Sequence, residues 1–394
     1  MNTIQDRIRG SLIGGAIGDA LGYPVEFMSL KKIRGKYGDS GITRFELNAR
    51  GVAEISDDTQ MTLFTANGLL NWWENENRLS GASIIPFVEN AYLDWYYTQT
   101  RRARVNANSK ECHSTWLCHL PELAHNRAPG TTCMSACEAI FNGMQPQNNS
   151  KGCGGIMRVA PLGLLQAAYF NKNGGGLMKV ANLAKTGADI ASITHLHPLG
   201  YLPAALLTLL VAHVTTLTTE EAKSSIVDIV KESLNVVIQQ ERNDSLEEIT
   251  DSAIQLAKSD YSDTDAIRLL GEGWTGEEAW AISLYCVIRH IDNIKEAIIA
   301  AVNHDGDSDS TGSITGNIMG AIYGYEAIRQ ERLFCPQGKD IEDTLELSNI
   351  ILAIADDLTL FPHVTEYSKT LKPHEAERWY QRYGRIEPFG LTSE

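Results

Sequence analysis

Long apolar runs are missing from this sequence. No stretch approaches the ~20 residues that a membrane-spanning helix needs. The opening MNTIQDRIRGSLIGGAIGDALG has an early acid and repeated glycines where a signal peptide would have a basic flank and a cleavage site. Basic charge is also short: 34 Lys and Arg stand against 49 Asp and Glu, a formal net charge of -15. Backbone-driven binding of nucleic acid draws on Lys and Arg, so neither nucleic acid nor membrane is expected as a partner. The seven cysteines are odd in number and dispersed, which suits reduced thiols in a cytoplasmic protein. Two nucleotide signatures are lacking as well. GGAIGDALG contains no G-x-G-x-x-G, and no segment matches GxxxxGK[ST].

Alternating strand patterns with hairpin turns are nearly absent, and helix-spaced apolar residues take their place. They recur through Phe87–Tyr97, Pro161–Tyr169, Leu177–Ala191, Pro203–Leu217, Glu277–Arg289 and Leu345–Leu358. Loops are expected at Gly35–Ser56, Arg101–Thr132 and Gln145–Gly155, where Gly, Asn, Pro and Ser cluster. The polar stretch from Thr218 to Asp265 reads as outer helices. With 43% hydrophobic residues over 394 positions and no linker-like segment, the expectation is one compact all-α domain.

Glycines are abundant in two registers. Gly10, Gly14, Gly18 and Gly22 are spaced by four, and so are Gly312, Gly316, Gly320 and Gly324. Residues four apart share a helix face, so each run makes a smooth stripe. A helical Gly costs roughly 1 kcal/mol against Ala, so four in a row need a packing reason. The two helices are expected in the crowded centre of the bundle, near each other or near a ligand.

Two acidic clusters open helical segments. Ser56-Asp57-Asp58-Thr59 precedes QMTLFTANGLL, and Asp307-Ser308-Asp309-Ser310-Thr311 precedes the second glycine stripe. Ser and Asp are good N-caps, so capping explains either cluster alone. Capping uses one side chain, however, and each cluster supplies several oxygens. If the clusters converge, carboxylates ~4 Å apart repel by about 4 kcal/mol per pair at an effective dielectric of 20. Protonation or a divalent cation relieves that, and oxygen ligands suit hard ions such as Mg²⁺ or Mn²⁺. Asp305-x-Asp307-x-Asp309 is not an EF-hand loop, because Ser310 and Gly316 stand where Gly and a bidentate Glu are needed. Cys112, His113, Cys118, His119, His125, Cys133 and Cys137 invite a zinc reading, but their spacings do not match structural zinc sites. Cys153 as a nucleophile with His195 or His197 has no nearby feature that would lower its pKa.

Five ordered segments, GGAIGDALGYPVEF, SDDTQMTLFTANGLL, KGCGGIMRVAPLGLL, GEGWTGEEAWAISLYC and NHDGDSDSTGSITGNIMGAIYG, resemble the ADP-ribosylglycohydrolase family over residues 10 to 325. The resemblance implies a compact orthogonal helical bundle with two divalent cations, Mg²⁺ or Mn²⁺. Their implied ligands are Ser56, Asp57, Asp58, Asp307, Asp309 and Ser310. Glu26 falls where the family carries a mobile glutamate near the metals. Asp58, Glu26 and Asp307 are the expected catalytic carboxylates, with Asp58 and Glu26 both open as the general base. Gly152, Cys153, Gly154, Gly155, Met157 and Arg158 match the loop that holds the ADP-ribose diphosphate and ribose. Trp274, Tyr23 and His195 are candidates for stacking or phosphate contact.

The chain departs from the pattern at Cys153, where many relatives have Asn, and at Asp305, where glycine is common. The implied reaction is hydrolysis of the bond between ADP-ribose and a modified arginine of a protein. Serine, nucleotide or small-molecule adducts, as in toxin immunity, are alternatives. A crystallin-like ADP-ribose binder without activity is another, disfavoured because both acidic motifs are intact.

Overall fold

Helical periodicity in the sequence is realised as helix along the chain. The computed structural model describes residues 3–76, 82–105, 110–364 and 371–384. It begins with α1 (Ile4–Gly22), α2 (Leu30–Tyr37), α3 (Asp57–Glu76), α4 (Ile85–Thr100) and α5 (Thr131–Phe141). The middle of the chain forms α6 (Ala160–Asn173), α7 (Val180–Ser192), α8 (Pro198–Val214), α9 (Thr219–Gln240), α10 (Asp244–Ala257) and α11 (Asp263–Leu270). The remainder forms α12 (Gly276–Arg289), α13 (Ile294–Val302), α14 (Ser308–Tyr323), α15 (Tyr325–Glu331), α16 (Ile341–Thr344), α17 (Ser348–Leu360) and α18 (Pro373–Tyr383). A two-residue antiparallel ladder, β1 (Arg104–Val105) with β2 (Glu111–Cys112), is the one named sheet among the described residues. The chain is 68% helical, so the all-α expectation holds. No helix among the described residues is long and apolar enough to cross a membrane.

The glycine stripes meet. α1 and α14 run antiparallel with Gly10 against Gly320, Gly14 against Gly316 and Gly18 against Gly312. A Cβ on Gly312 would stand 2.5 Å from the Gly18 carbonyl oxygen, closer than any side chain tolerates, so only glycine lets the two backbones touch. Nearly the whole of α14 is buried in consequence. Arg7 of α1 closes the far end, donating to the Ala321 and Ile322 carbonyls at 2.9 Å each. A cation there complements the negative end of the α14 dipole. The opposite end, where α14 begins, is thereby pressed against Asp19 and Gly22 at the end of α1.

Elsewhere the sequence reading needs small adjustments. α8 starts at Pro198, five positions before the expected Pro203, which sits inside the helix. The N–H that Pro203 lacks would have bonded the Leu199 carbonyl. That carbonyl instead faces Gly276, where a Cβ would stand 2.6 Å away. The polar region after Thr218 becomes α9, α10 and α11, and α9 buries one face through Ala222, Ile226, Ile229, Val230, Leu234 and Val237. Its start is a reciprocal cap: Glu221 N–H donates to the Thr218 hydroxyl at 3.3 Å, and Thr218 N–H to the Glu221 carboxylate at 2.9 Å. α18 docks through Trp379, whose indole N–H donates to Glu74 at 2.9 Å, and Tyr383, whose hydroxyl donates to Asp357 at 2.8 Å.

Candidate functional site

Asp19, one turn before the end of α1, joins the first acidic cluster to the glycine-striped pair. Its carboxylate accepts the Ser56 N–H at 2.9 and 3.1 Å and the Thr59 N–H at 3.1 Å, and it also takes the Thr59 hydroxyl. α3 is therefore capped from α1. Ser56 Oγ accepts the Asp58 N–H at 3.2 Å, so the orphan donors of the α3 first turn are satisfied without Asp57 or Asp58. Asp57 Oδ2 accepts the Gly130 N–H at 3.2 Å. Asp58 Oδ2 is buried and has no partner.

The second cluster is divided by role. Asp307 caps α14, its Oδ1 accepting the Ser310 N–H at 3.2 Å while its Oδ2 accepts the Cys153 thiol at 2.7 Å. Asp309 Oδ1 also accepts the Ser310 N–H, at 3.0 Å. Asp305 faces away and caps α2, taking the Leu30 N–H at 2.8 Å. The three alternate aspartates thus start two different helices.

The clusters converge. Asp57, Asp58, Asp307, Asp309, Ser310 and Glu26 line one cleft of about 330 Å³, partly open to solvent. That size lies within the range of small-molecule pockets. Burial pushes all five carboxyls above their ordinary values, and for Asp57, Asp58 and Glu26 the next cause is the charge of Asp309. Glu26 is pushed up to about 10 and Asp19 to about 7, again by burial first and Asp309 second. Asp307 and Asp309 compete for a proton, while the Ser56 hydroxyl pulls Asp309 partly back. Among the described residues no lysine or arginine pairs with any of them. Arg127 gives its carbonyl to the Asp57 N–H at 3.1 Å, but its guanidinium is committed to Glu346 at 2.8 Å and Glu54 at 3.3 Å.

The opposite wall is the Gly152–Arg158 segment. It is zipped to the start of α12 by Gly276 N–H to Lys151 O at 2.7 Å and Cys153 N–H to Trp274 O at 3.2 Å. Gly152, Cys153, Gly154, Met157, His195 and Trp274 all face the cleft. Two expected contacts do not. Gly155 packs on α8, where a Cβ would collide with the Gly200 carbonyl. Arg158 is 0% exposed, with its guanidinium 4.3 Å from the Tyr92 ring and its Nη2 donating to Thr194 Oγ1 at 2.5 Å. It is a core residue behind the loop, so it does not touch a ligand in the cleft.

Arg158 nevertheless acts on a residue that does face the cleft. Thr194 Oγ1 accepts from Arg158 and lies 2.8 Å from His195 Nδ1. The same hydroxyl also donates to the Ala191 carbonyl at 3.4 Å, so Arg158 fixes the group that holds the imidazole in place. Burial and the Arg158 charge push His195 down to about 3, so the ring stays neutral. Cys153, half-buried beside Asp307 and Asp58, is pushed well up and stays a thiol, which removes it as a nucleophile.

The zinc reading meets one assembled group among the described residues: ligand atoms of Asp94, His113 and Cys118 lie within 4.8 Å of one another. Asp94 is already saturated. It accepts Ser114 N–H at 2.6 Å, Thr115 N–H at 2.7 Å, Thr115 hydroxyl at 3.0 Å and Arg104 at 2.8 Å. Burial raises the Cys118 thiol, which donates to Thr115 O at 2.9 Å. A guanidinium on the shared carboxylate opposes a dication, so this group braces the loop after β2. The cleft carboxylates are spread wider than 4.8 Å in threes, but they contrast in donor chemistry: Asp58 Oδ2 and Glu26 Oε2 are buried without any partner. Orphaned carboxyl oxygens without a basic neighbour fit a hard divalent cation, whose charge would favour their ionised form.

The family model for ADP-ribosylglycohydrolase matches residues 1–361. The chain belongs to that family. Its relatives include the ADP-ribosyl-[dinitrogen reductase] glycohydrolase of Rhodospirillum rubrum, 25% identical over 83% of this chain and 88% of that protein. The ADP-ribosylarginine hydrolase Tri1 of Serratia proteamaculans is 24% identical over 82% of this chain and 73% of its own. A solved structure of an ADP-ribosylglycohydrolase-related protein complex shares the fold, with a TM-score of 0.60 and 20% identity over 92% of this chain and 100% of that one. Membership in the ADP-ribosylglycohydrolase family supports ADP-ribosyl hydrolase activity. Asp19 was not singled out in the sequence, because one acid away from the two acidic clusters adds nothing to their count of oxygens. Its signal was being the one charge in GGAIGDALG.

Proposed function

We propose that this chain, as a single domain, is a metal-dependent hydrolase that cleaves the N-glycosidic bond between ADP-ribose and a modified arginine, reversing mono-ADP-ribosylation of a protein. The observation that carries it is the meeting of two acidic helix starts on one cleft, with two orphaned carboxylate oxygens and no basic partner among the described residues. Ser56, Asp57, Asp58, Asp307, Asp309 and Ser310 would hold two divalent cations, Mg²⁺ or Mn²⁺, whose charge grips ribose hydroxyls and makes water more acidic.

The chain's own residues supply the rest. Asp58 and Glu26 offer oxygens free of protein donors, so they are the candidates for taking a proton from the attacking water. The remaining carboxylates stabilise positive charge on the sugar ring as the bond breaks. His195, neutral and lining the cleft, offers its ring to hydrogen-bond a phosphate or ribose group without adding charge. The glycines at 152 and 154 make room for the His195 ring, since a Cβ at either would stand 2.9 to 3.1 Å from it.

The decisive experiment measures ADP-ribose released from an ADP-ribosylated arginine peptide, with and without a chelator. Release that stops on chelation and returns with Mg²⁺ or Mn²⁺ supports the reading. Release from serine or nucleotide adducts alone would overturn the arginine assignment.

A further inference from the structure

Two large aromatic rings stand in the open beside the carboxylates. Phe27 is 71% exposed and Trp274 is 37% exposed, although residues of this size are usually buried far more deeply. Their rings are stacked, with centroids 5.7 Å apart and planes 19° apart. Phe27 directly follows Glu26. Trp274 accepts the N–H of Cys153, whose thiol donates to Asp307. The pair therefore flanks the acidic wall, and both rings line the cleft. Trp274 also borders a second hollow shared with Glu272 and Asp305, which places it on the rim between two open spaces.

We propose that Phe27 and Trp274 form the platform on which a planar cation, the guanidinium of the modified arginine, stacks while its bond to ADP-ribose is cleaved. This rests on the reading of the cleft as an ADP-ribosylarginine hydrolase site. A guanidinium stacks on aromatic faces and is weakly hydrated. A serine hydroxyl has neither plane nor charge and gains nothing there, so the platform selects the arginine adduct.

The step balances. The C1″–N bond breaks and its electron pair stays on the guanidine nitrogen. The oxygen of water bonds to C1″, and one proton of that water passes through a carboxylate to the nitrogen. A cation enters and a guanidinium leaves, so the platform serves substrate and product alike.

Steady-state kinetics on an ADP-ribosylated arginine peptide test this with Phe27→Ala, Trp274→Ala and Trp274→Phe, alongside calorimetric titration of free ADP-ribose. A stacking cation gives about tenfold in affinity. Each alanine variant should therefore raise KM by about that factor with kcat little changed, as expected for an interaction made equally in ground and transition states. Trp274→Phe should retain most of the affinity, and ADP-ribose binding should match the wild type in all three. Wild-type kinetics in both alanine variants would overturn the platform alone. Parallel loss of ADP-ribose affinity would overturn it too, by assigning the rings to the nucleotide. A wild-type enzyme inactive on the arginine adduct would sink the parent reading as well.

Discussion

Asp19 holds the backbone N–H of Ser56 at 2.9 Å across 37 residues of sequence. The same carboxylate binds the Thr59 N–H at 3.1 Å, so one side chain of α1 orients the first turn of α3. Asp19→Ala leaves those two amides and the Thr59 hydroxyl buried without acceptors. At about 1–3 kcal/mol for each unsatisfied group, the variant should lose at least roughly 2 kcal/mol in urea denaturation. Asp19→Asn, which keeps one acceptor, should lose less. Full stability in the alanine variant would show that water replaces the carboxylate.

Asp307 and Asp309 are each held above their ordinary values by burial. Asparagine at either position removes a crowded charge and leaves the shape, and at 307 it still caps the helix. Far-UV circular dichroism should be unchanged and the metal-free melting temperature no lower than wild type. Turnover should fall by about 100-fold or more, and calorimetry should show weakened Mn²⁺ binding. Collapse of the helical spectrum would mean that these residues serve only as structural caps.

The α1–α14 contact sets a sharp contrast among glycines. Gly18 and Gly316 each face a backbone carbonyl of the other helix, so a Cβ on either collides with an atom that cannot rotate away. Overpacking there should cost about 3 kcal/mol or more, read as a lowered urea midpoint for Gly18→Ala and Gly316→Ala. Gly35 in α2 has nothing within 4 Å. Gly35→Ala should stabilise by about 0.5–1 kcal/mol through helix propensity. Equal effects at these positions would refute backbone contact.

His195 provides a pH signature. Its folded value, about 3, lies below the ordinary 6.5 because of burial and Arg158. Between those values the unfolded chain binds a proton that the folded chain does not, so stability rises with pH. The contribution is complete above pH 6.5 and is lost as pH falls toward 3. From pH 7 to 4 it amounts to roughly 3 kcal/mol. His195→Gln should remove that part of the acid slope while its difference from wild type stays constant above pH 7. A variant with the wild-type slope would place His195 in solvent.

Much of the fold was legible because period and spacing are local properties. The four-residue glycine stripes announced two helices with a bare face, and the polar run after Thr218 became helices with one buried side. Short elements such as α2 and α5 were missed, since eight to eleven residues give few repeats from which to read a period. In the site, Asp57, Asp58, Asp307 and Asp309 stood out because acids gathered at a helix start exceed what capping needs. Arg158 was misplaced because adjacency to the glycine loop does not say which way a side chain turns.

The sequence alone determined which residues share a helix face and which helix starts carry surplus oxygens, because both follow from backbone geometry over one or two turns. Only the tertiary structure decided what each face meets: that Gly18 lies on Gly312, that Asp19 caps a helix 37 residues away, and that Asp305 serves α2 while its neighbours turn to the cleft. Such pairings depend on where the chain returns after long separations, and burial then fixes the charge state that a carboxylate or an imidazole takes.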